Sequence, residues 1–541
     1  MVTSSDAPAV PASAAATVAR AFPLSAPLAF GAAALCGILY WLAYPGVVEV
    51  WPLAFVAWVP LAVALHGQTP ARAAWLGGTA GLAMTFAGFF WLNDMLRIFS
   101  GFPTPVCVLF VVILCAYQGG RIALLGWLYG RATARGWPSA LVFAAAFVAS
   151  ELTYPVLFPW SYAATVHSVP VLSQLGDIMG PLGVGVVLVA ANLAVSEIVI
   201  ATLERRRFSR LTVAVGAGAV GVSAAYGAYR VHAVDAEMRA LPPVTVGVVQ
   251  ANMGLLEKRA MSEEGLRRHL TLSHEMADAH ADFVVWSETS AMHAVRDDSY
   301  RAELSDVARR IGLPAIFGAV VIKPVADDRR YVFYNSAVAS DAQGAVSSRY
   351  DKHYLLAFGE YLPFGDSLPI LYKWSPNSGH FTPGTSLEPL VLDVHGEKHT
   401  VSALVCYEDI LPRFTNEAVR HANPELLVNL TNDAWFGDTA EPWIHLALTQ
   451  MRAIEHRRYL VRGTNSGVSA VVDPVGRVVT HGSTFHQEAF TAPIRWMRGW
   501  TVYEILGDWP WLFVSLGAFA AAFWRRKPLA PPTPLKASSP S

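Results

Sequence analysis

The sequence predicts two parts of different class: a polytopic α-helical membrane domain of about eight transmembrane helices, and a layered α/β domain inserted before the last of them. Three observations predict it. The 541 residues are 53% hydrophobic and only 15% charged, with a mean hydropathy of +0.37, against roughly 25% charged in soluble domains. Apolar runs of membrane-crossing length crowd into residues 22–235 and into one late segment, 505–524. Between them, residues 241–495 alternate short β-rich runs with helical patterns, as stacked sheets and helices require. A net charge of −1 leaves no broad positive field for nucleic acid.

Residues 1–21, rich in Ala, Ser and Pro, read as a disordered N-terminus. They lack the basic region of a cleavable signal, so the first span is expected to remain as an anchor. A crossing helix needs roughly 20 residues. Seven such spans are predicted in the first domain: Ala26–Tyr44, Trp51–His66, Ala73–Leu92, Pro105–Leu128, Ala140–Leu157, Pro181–Leu203 and Leu211–Tyr229. An eighth is Ile505–Trp524, and 525–541 follows as a basic, Pro-rich tail. Basic residues fall in alternate loops, at Arg72, Arg131 and Arg135, Glu204–Arg210 and Arg525–Lys527, with Arg97 against the trend. The positive-inside rule makes that side cytoplasmic, with both termini on it and the α/β domain outside. Glu151 and Glu197 are costly against lipid and are expected to face the bundle interior or an interface.

In the outer domain, Val244–Gln250, Asp282–Glu288, Pro314–Val321, Val401–Glu408 and Glu425–Asn432 have the length and apolarity of buried strands. Glu263–His280 and Tyr300–Ile311 carry helical patterns. Of four cysteines, Cys36, Cys107 and Cys115 lie in apolar spans, where a thiol packs as a small hydrophobe. Cys406 alone lies in the outer domain, closing the run "VSALVC" before Tyr407, Glu408 and Asp409. It is either a buried structural cysteine or a nucleophile. His353, His445 and His456 show no zinc-like spacing, and no metal or cofactor is expected.

Two other strings put a reactive side chain at or just after a strand-like run: "VVWSETS" with Glu288, and "YDKHYLLAFGEYLPF" with Lys352 and Glu360. A free thiol is only a few per cent thiolate at neutral pH. Glu288 could take its proton as general base. Lys352 could favour the thiolate and hold a developing oxyanion, with the Tyr407 backbone N–H as a second donor.

On these strings the chain resembles the nitrilase superfamily, and within it the apolipoprotein N-acyltransferases of the bacterial cytoplasmic membrane. "VVWSET", "YDKHYLLAFGEYLPF", "VCYED", the block Asn429–Val478, "FPW" (Phe158–Trp160) and "YNS" (Tyr334–Ser336) carry the resemblance. It implies an α-β-β-α sandwich for the outer domain and a Glu288–Lys352–Cys406 site. Glu360 would orient Lys352 or support the base, and Glu408 would form a wall of the site. Trp435, Phe436 and Trp443 are candidates for an apolar acyl pocket, and Asn335 is a further substrate-binding candidate. The implied partners are a membrane phospholipid as acyl donor and a diacylglyceryl-modified apolipoprotein as acceptor. Two positions depart from the family pattern: Ala357 stands where a proline is usual, and Arg259 where a tryptophan is common. A membrane-tethered amidase, with water in place of the amine, is the nearest alternative. A transporter or scaffold with a degenerate outer domain is a third, against which the intact trio speaks. The Pro-, Gly- and Ser-rich stretch Asp366–Gly384 is expected to form a mobile arm.

Overall fold

The computed structural model describes residues 22–46, 48–100, 102–254, 261–325, 331–365, 367–368, 370–374 and 379–525. The expectations for the first 21 residues, for Arg259 and for the tail beyond Arg525 lie outside the described residues, as does part of the stretch 366–384.

The apolar runs form helices with ends set by local chemistry. Ala26–Ala43, Thr104–Thr133, Gly176–Leu203 and Arg210–Ala240 are each long and apolar enough to cross a membrane. The expected third span is instead a bent pair: Pro70–Phe89 and the segment from Leu92 to Ile98 meet at 55°. Trp51–Leu65, Ser139–Thr153 and Trp509–Phe523 are shorter apolar helices. Proline within the first turn, where no N–H is missed, starts several of them, including Pro70–Phe89 and Trp509–Phe523. In hydrocarbon there is no hydrophobic drive between helices, so small residues mediate close packing. Gly81 and Gly119 do this between Pro70–Phe89 and Thr104–Thr133, where a Cβ on either would overlap the facing backbone. Glu151 pairs with Arg121 at 2.9 Å inside the bundle, and Glu197 pairs with Arg206 at 2.6 Å near a helix end.

Two of the boundaries that differ from expectation bear on the outer domain. The helix Arg210–Ala240 runs past Tyr229 and places Val234 and Met238 in the core of the outer domain. The eighth apolar segment is broken at Gly507, whose φ of 53° ends the short helix Val502–Leu506. Glu504 in that short helix is fully buried and bonded to Arg458 at 2.6 Å. The residues before Gly507 therefore belong to the outer domain, because a buried ion pair holds them there.

The outer domain contains β1 (Val244–Gln250), β2 (Phe283–Val285), β3 (Ala291–Arg296), β4 (Ala315–Pro324), β5 (Tyr331–Ser340) and β6 (Val346–Asp351). Then come β7 (Leu390–Val394), β8 (Glu397–Val405), β9 (Leu426–Thr431), β10 (Leu460–Thr464), β11 (Ala470–Val472), β12 (Val478–His481) and β13 (Glu488–Ile494). One sheet runs β13-β1-β2-β4-β5-β6, with β3 also on β4; the other runs β12-β11-β10-β9-β8-β7. Their central pairs, β1–β2–β4 and β8–β9–β10, are parallel. Such strands are buried on both faces and read as continuous apolar runs, which is why all of these but β10, whose short run holds Arg462, were visible in the sequence. Val248 and Ile316 of one sheet share a core with Val401, Val428 and Val461 of the other. The helices Ser262–Asp278 and Tyr300–Ile311 pack against the opposite side of the first sheet through Leu270, Met276, Leu304 and Ala308.

The two domains meet over an apolar seam. Ile410, Phe436, Ile444, Leu448 and Met451 join the core of the helical domain. Arg457 closes the seam's edge on Asp177, at 2.7 and 3.1 Å.

Candidate active site

Each reactive residue stands just beyond the end of a strand. β2 stops at Val285 and β8 at Val405, both short of their predicted ends. That shortening lets the chain turn and aim Glu288 and Cys406 away from the sheets. At Gly318 of β4 a Cβ would overlap the backbone of Glu288 and Thr289, so only glycine lets that turn lie so close.

Cys406 opens a 3₁₀ turn, Cys406–Ile410, with a left-handed φ of 54°. A non-glycine residue there carries backbone strain of about 1–3 kcal/mol, which its surroundings must hold. Asn429 donates to the carbonyls of Cys406 and Leu404 at 3.1 and 3.0 Å. Glu408 does more. Its fully buried carboxylate accepts from Val405 N (2.8 Å), His353 N (2.6 Å), Tyr354 N (3.0 Å) and the Tyr350 hydroxyl (2.9 and 3.0 Å). Burial pushes it up to about 7 while these backbone donors pull against the rise. Glu408 is thus not a wall of the site, since both oxygens are consumed in tying the lysine loop to the cysteine turn.

Lys352 follows β6 directly and is 1% exposed. Its Nζ lies 2.7 Å from Glu360 Oε2 and 3.4 Å from Glu288 Oε1. Asn335 donates through Nδ2 to Glu288 at 2.6 Å and to Glu360 at 2.9 Å. Leu356 N adds a 2.8 Å bond to Glu360. Asn335, expected as a substrate contact, instead spends its donors on spacing the two carboxylates. Burial opposes the charge on Lys352, but Glu360 and then Glu288 outweigh it and hold the ammonium well above its ordinary range. Burial, reinforced by Glu288, pushes the Cys406 thiol up; Lys352 opposes this. At rest the sulfur keeps its proton, and a neighbouring base must remove it. Ala357, the departure from proline, lies on this loop and pairs with Tyr361.

The thiol faces an apolar cavity whose walls come from both domains: Trp91, Phe158 and Trp160 on one side, Leu356, Phe436 and Ile444 on the other. Phe436 meets Trp91 edge to face, with centroids 5.0 Å apart. Trp435 packs on the same helical core. Trp443 does not join them. It lies on the other face of the helix Glu441–His456, in a separate cluster against His481. Tyr407 contributes a contact that its backbone role did not suggest: its hydroxyl donates to Leu157 O at 2.6 Å, fastening the cysteine turn to the helical domain.

Asp409, unexplained from sequence, anchors a closed ring of charge beneath the turn. It accepts from Arg462 and His445 at 2.8 Å each and from Thr449 at 2.6 Å. Asp433 completes the ring, 2.8 Å from Arg462 and 3.2 Å from His445. Burial and Arg462 disfavour a charged imidazole, yet a carboxylate at each ring nitrogen carries His445 up to about 10. Asp433, Glu441 and His445 are the grouping among the described residues with metal-like spacing. They do not fit a cation, because Asp433 is already paired and the protonated ring has no free lone pair.

Fold and site together define a carbon–nitrogen hydrolase domain carried on apolar helices. Residues 245–497 match the family model described as Carbon-nitrogen hydrolase, and residues 36–194 match Apolipoprotein N-acyltransferase N-terminal domain. An apolipoprotein N-acyltransferase of Geobacter metallireducens is 30% identical over 507 residues, covering 92% of this chain and 95% of the relative. One of Ralstonia nicotianae is 31% identical over 526 residues, covering 94% and 96%. Among solved structures, an amidase from Nesterenkonia sp. AN1 is 19% identical and covers 47% of this chain and 92% of its own, at a TM-score of 0.35, too slight a likeness to argue from. The chain belongs to the apolipoprotein N-acyltransferase family.

Proposed function

We propose that this protein moves an acyl chain from a membrane phospholipid, through a thioester on Cys406, to the α-amino group of the diacylglyceryl-cysteine that begins an apolipoprotein. The observation that carries the reading is the placement of Cys406 beside Glu288, Lys352 and Glu360, at the wall of an apolar cavity shared with the helical domain. In the first half, Glu288 takes the Sγ proton and the thiolate attacks the ester carbonyl. Lys352 and the Tyr407 N–H stabilise the oxyanion. Collapse expels the glycerol oxygen, which takes the proton back from Glu288 and leaves as a lysophospholipid. In the second half, the acceptor amine attacks the thioester, its proton passes to Glu288, and the sulfur leaves and is reprotonated. Glu360 and Asn335 keep the base and the lysine in register.

The membrane fits this chemistry. Extracting an acyl tail into water costs about 0.8 kcal/mol per CH₂, so a thiol at the bilayer surface avoids most of that cost. The same aromatic walls keep water from the thioester. We infer that the long helices, the bent pair and the three shorter apolar helices all cross, making eight spans in the cytoplasmic membrane of a bacterium. The alternation of basic loops supports cytoplasmic termini and a periplasmic outer domain. The shared core of the two sheets, with helices outside, supports an α-β-β-α sandwich.

The test is a phospholipid radiolabelled in its acyl chain. A hydroxylamine-sensitive label on Cys406, discharged by a lipopeptide amine and not by water, is expected. Discharge by water alone would make the protein an amidase-like hydrolase, and no label in intact protein would sink the thioester.

A further inference from the structure

Behind the aromatic walls of the thiol cavity lie two further cavities. Trp160, Ile410 and Leu448 line the thiol cavity and also line a second chamber behind them. That chamber shares Leu152, Arg413 and Asp508 with a third, outer cavity. The space widens outward, from 160 Å³ in the chamber to 510 Å³ in the outer cavity. Its character changes along the way: aromatic beside the sulfur, then lined by Arg452, Arg413 and Asp508 with the mutually paired Arg121 and Glu151.

Arg452 is the unusual residue. It is 2% exposed, and among the described residues only Nη2 is bonded, to Glu455 at 2.5 Å. Its Nε and Nη1 find no acceptor there. Buried donors on a charged group are nearly always satisfied, so a pair left open beside a cavity calls for an acceptor. Each open N–H of the guanidinium can donate to an oxygen of a phosphate or carboxylate. Arg413 stands where the chamber opens outward, exposed and without an ion pair among the described residues. Asp508 lies in the field of both arginines and offers an acceptor for a cation attached to the same ligand.

We propose that this chamber binds the phosphodiester headgroup of the acyl donor, with Arg452 and Arg413 as its phosphate contacts, and releases the lysophospholipid outward through the third cavity. The inference rests on the phospholipid-donor reading above. The acceptor is a poorer occupant, because its diacylglyceryl-cysteine carries no phosphate for the two arginines to hold. A phosphodiester, linked through its glycerol to the reacting ester, lets an acyl chain lie in the aromatic cavity while the charge lies behind it.

The experiment uses the full chain in detergent and measures acyl-enzyme formation on Cys406 from two donors with the same acyl chains: a phosphatidylethanolamine and the corresponding diacylglycerol. The variants are Arg452→Gln and the exposed Arg413→Glu, the latter in case the buried substitution impairs folding. The ratio of kcat/KM for the phosphodiester donor over the phosphate-free donor is expected to fall about tenfold or more in each folded variant, through KM. Inorganic phosphate at millimolar concentration is expected to compete against the phosphodiester donor only. A ratio that does not move, or inhibition by phosphate of both donors alike, overturns the site. No acyl-enzyme from either donor in the unaltered protein would instead sink the thioester reading, and this site with it.

Discussion

Glu408→Gln at pH 8 isolates the brace that joins the lysine loop to the cysteine turn. Above about 7 the native residue is a carboxylate, and its two oxygens serve four donors. Glutamine keeps one oxygen, which can stay with the amides of His353 and Tyr354. Its NH₂ must then face Val405 N–H, a donor against a donor, while the Tyr350 hydroxyl can turn and accept. One orphaned buried N–H costs about 1–3 kcal/mol, and the bonds that remain lose the charge that made them stronger, about 1 kcal/mol apiece. The local total is about 3–5 kcal/mol, so the amides of His353, Tyr354 and Val405 should exchange hydrogen roughly 10²–10⁴-fold faster. Acyl-enzyme formation should fall with them, because Lys352 is no longer held against Cys406. Exchange by mass spectrometry on peptides covering 352–360 and 401–408 reads the first effect, and labelled phospholipid reads the second. Unchanged exchange in those peptides, or a rise spread evenly over the outer domain, would refute the brace.

Lys352→Met should reduce acyl-enzyme formation about 10²–10³-fold, the usual loss for one oxyanion donor, in a single-turnover assay with labelled phospholipid; a loss under fivefold would remove the lysine from the chemistry. Tyr407→Phe deletes only the bond to Leu157 O, worth about 0.5–1.5 kcal/mol, so turnover should fall less than about tenfold; a thousandfold loss would mean that the phenol touches substrate. His445 is raised by Asp409 and Asp433 above its unfolded value, so the stability it contributes is fully present below about pH 6.5 and is lost as pH rises through about 10. The thermal midpoint of the native protein should drop between pH 7 and 10.5 by more than that of His445→Gln, and parallel curves would show that the ring of charge is not titrating. Glu360→Ala removes the closest partner of Lys352, at 2.7 Å, and should cost about 3–5 kcal/mol of local stability, seen as faster exchange at 350–360.

The aromatic candidates show where pattern reading stopped. Trp435, Phe436 and Trp443 lie within nine positions of one another, and adjacency in sequence suggested one pocket. Phe436 and Ile444 face the helical domain, while Trp443 is turned one residue round the helix into another cluster. Asn335 and Glu408 were visible as polar residues in the right strings. What they bond to depends on β5 lying beside the Glu288 turn and on the lysine loop crossing β8, contacts between residues 47 and 55 positions apart. Asp409 had no reading at all until Arg462 and His445 arrived from two other elements.

Local chemistry in the chain was enough to determine the two-part architecture, five of the buried strands, and the order Glu288, Lys352, Cys406. Hydropathy and buried-strand runs are written in consecutive residues, and a reactive side chain at a strand end is a local feature. Only the tertiary structure decided which carboxylate braces and which faces the thiol. It also decided that the last apolar segment begins after Gly507, and that Arg452 stands open on a chamber behind the site. Those outcomes depend on which distant donors and acceptors meet once water is excluded, and that matching is made in space.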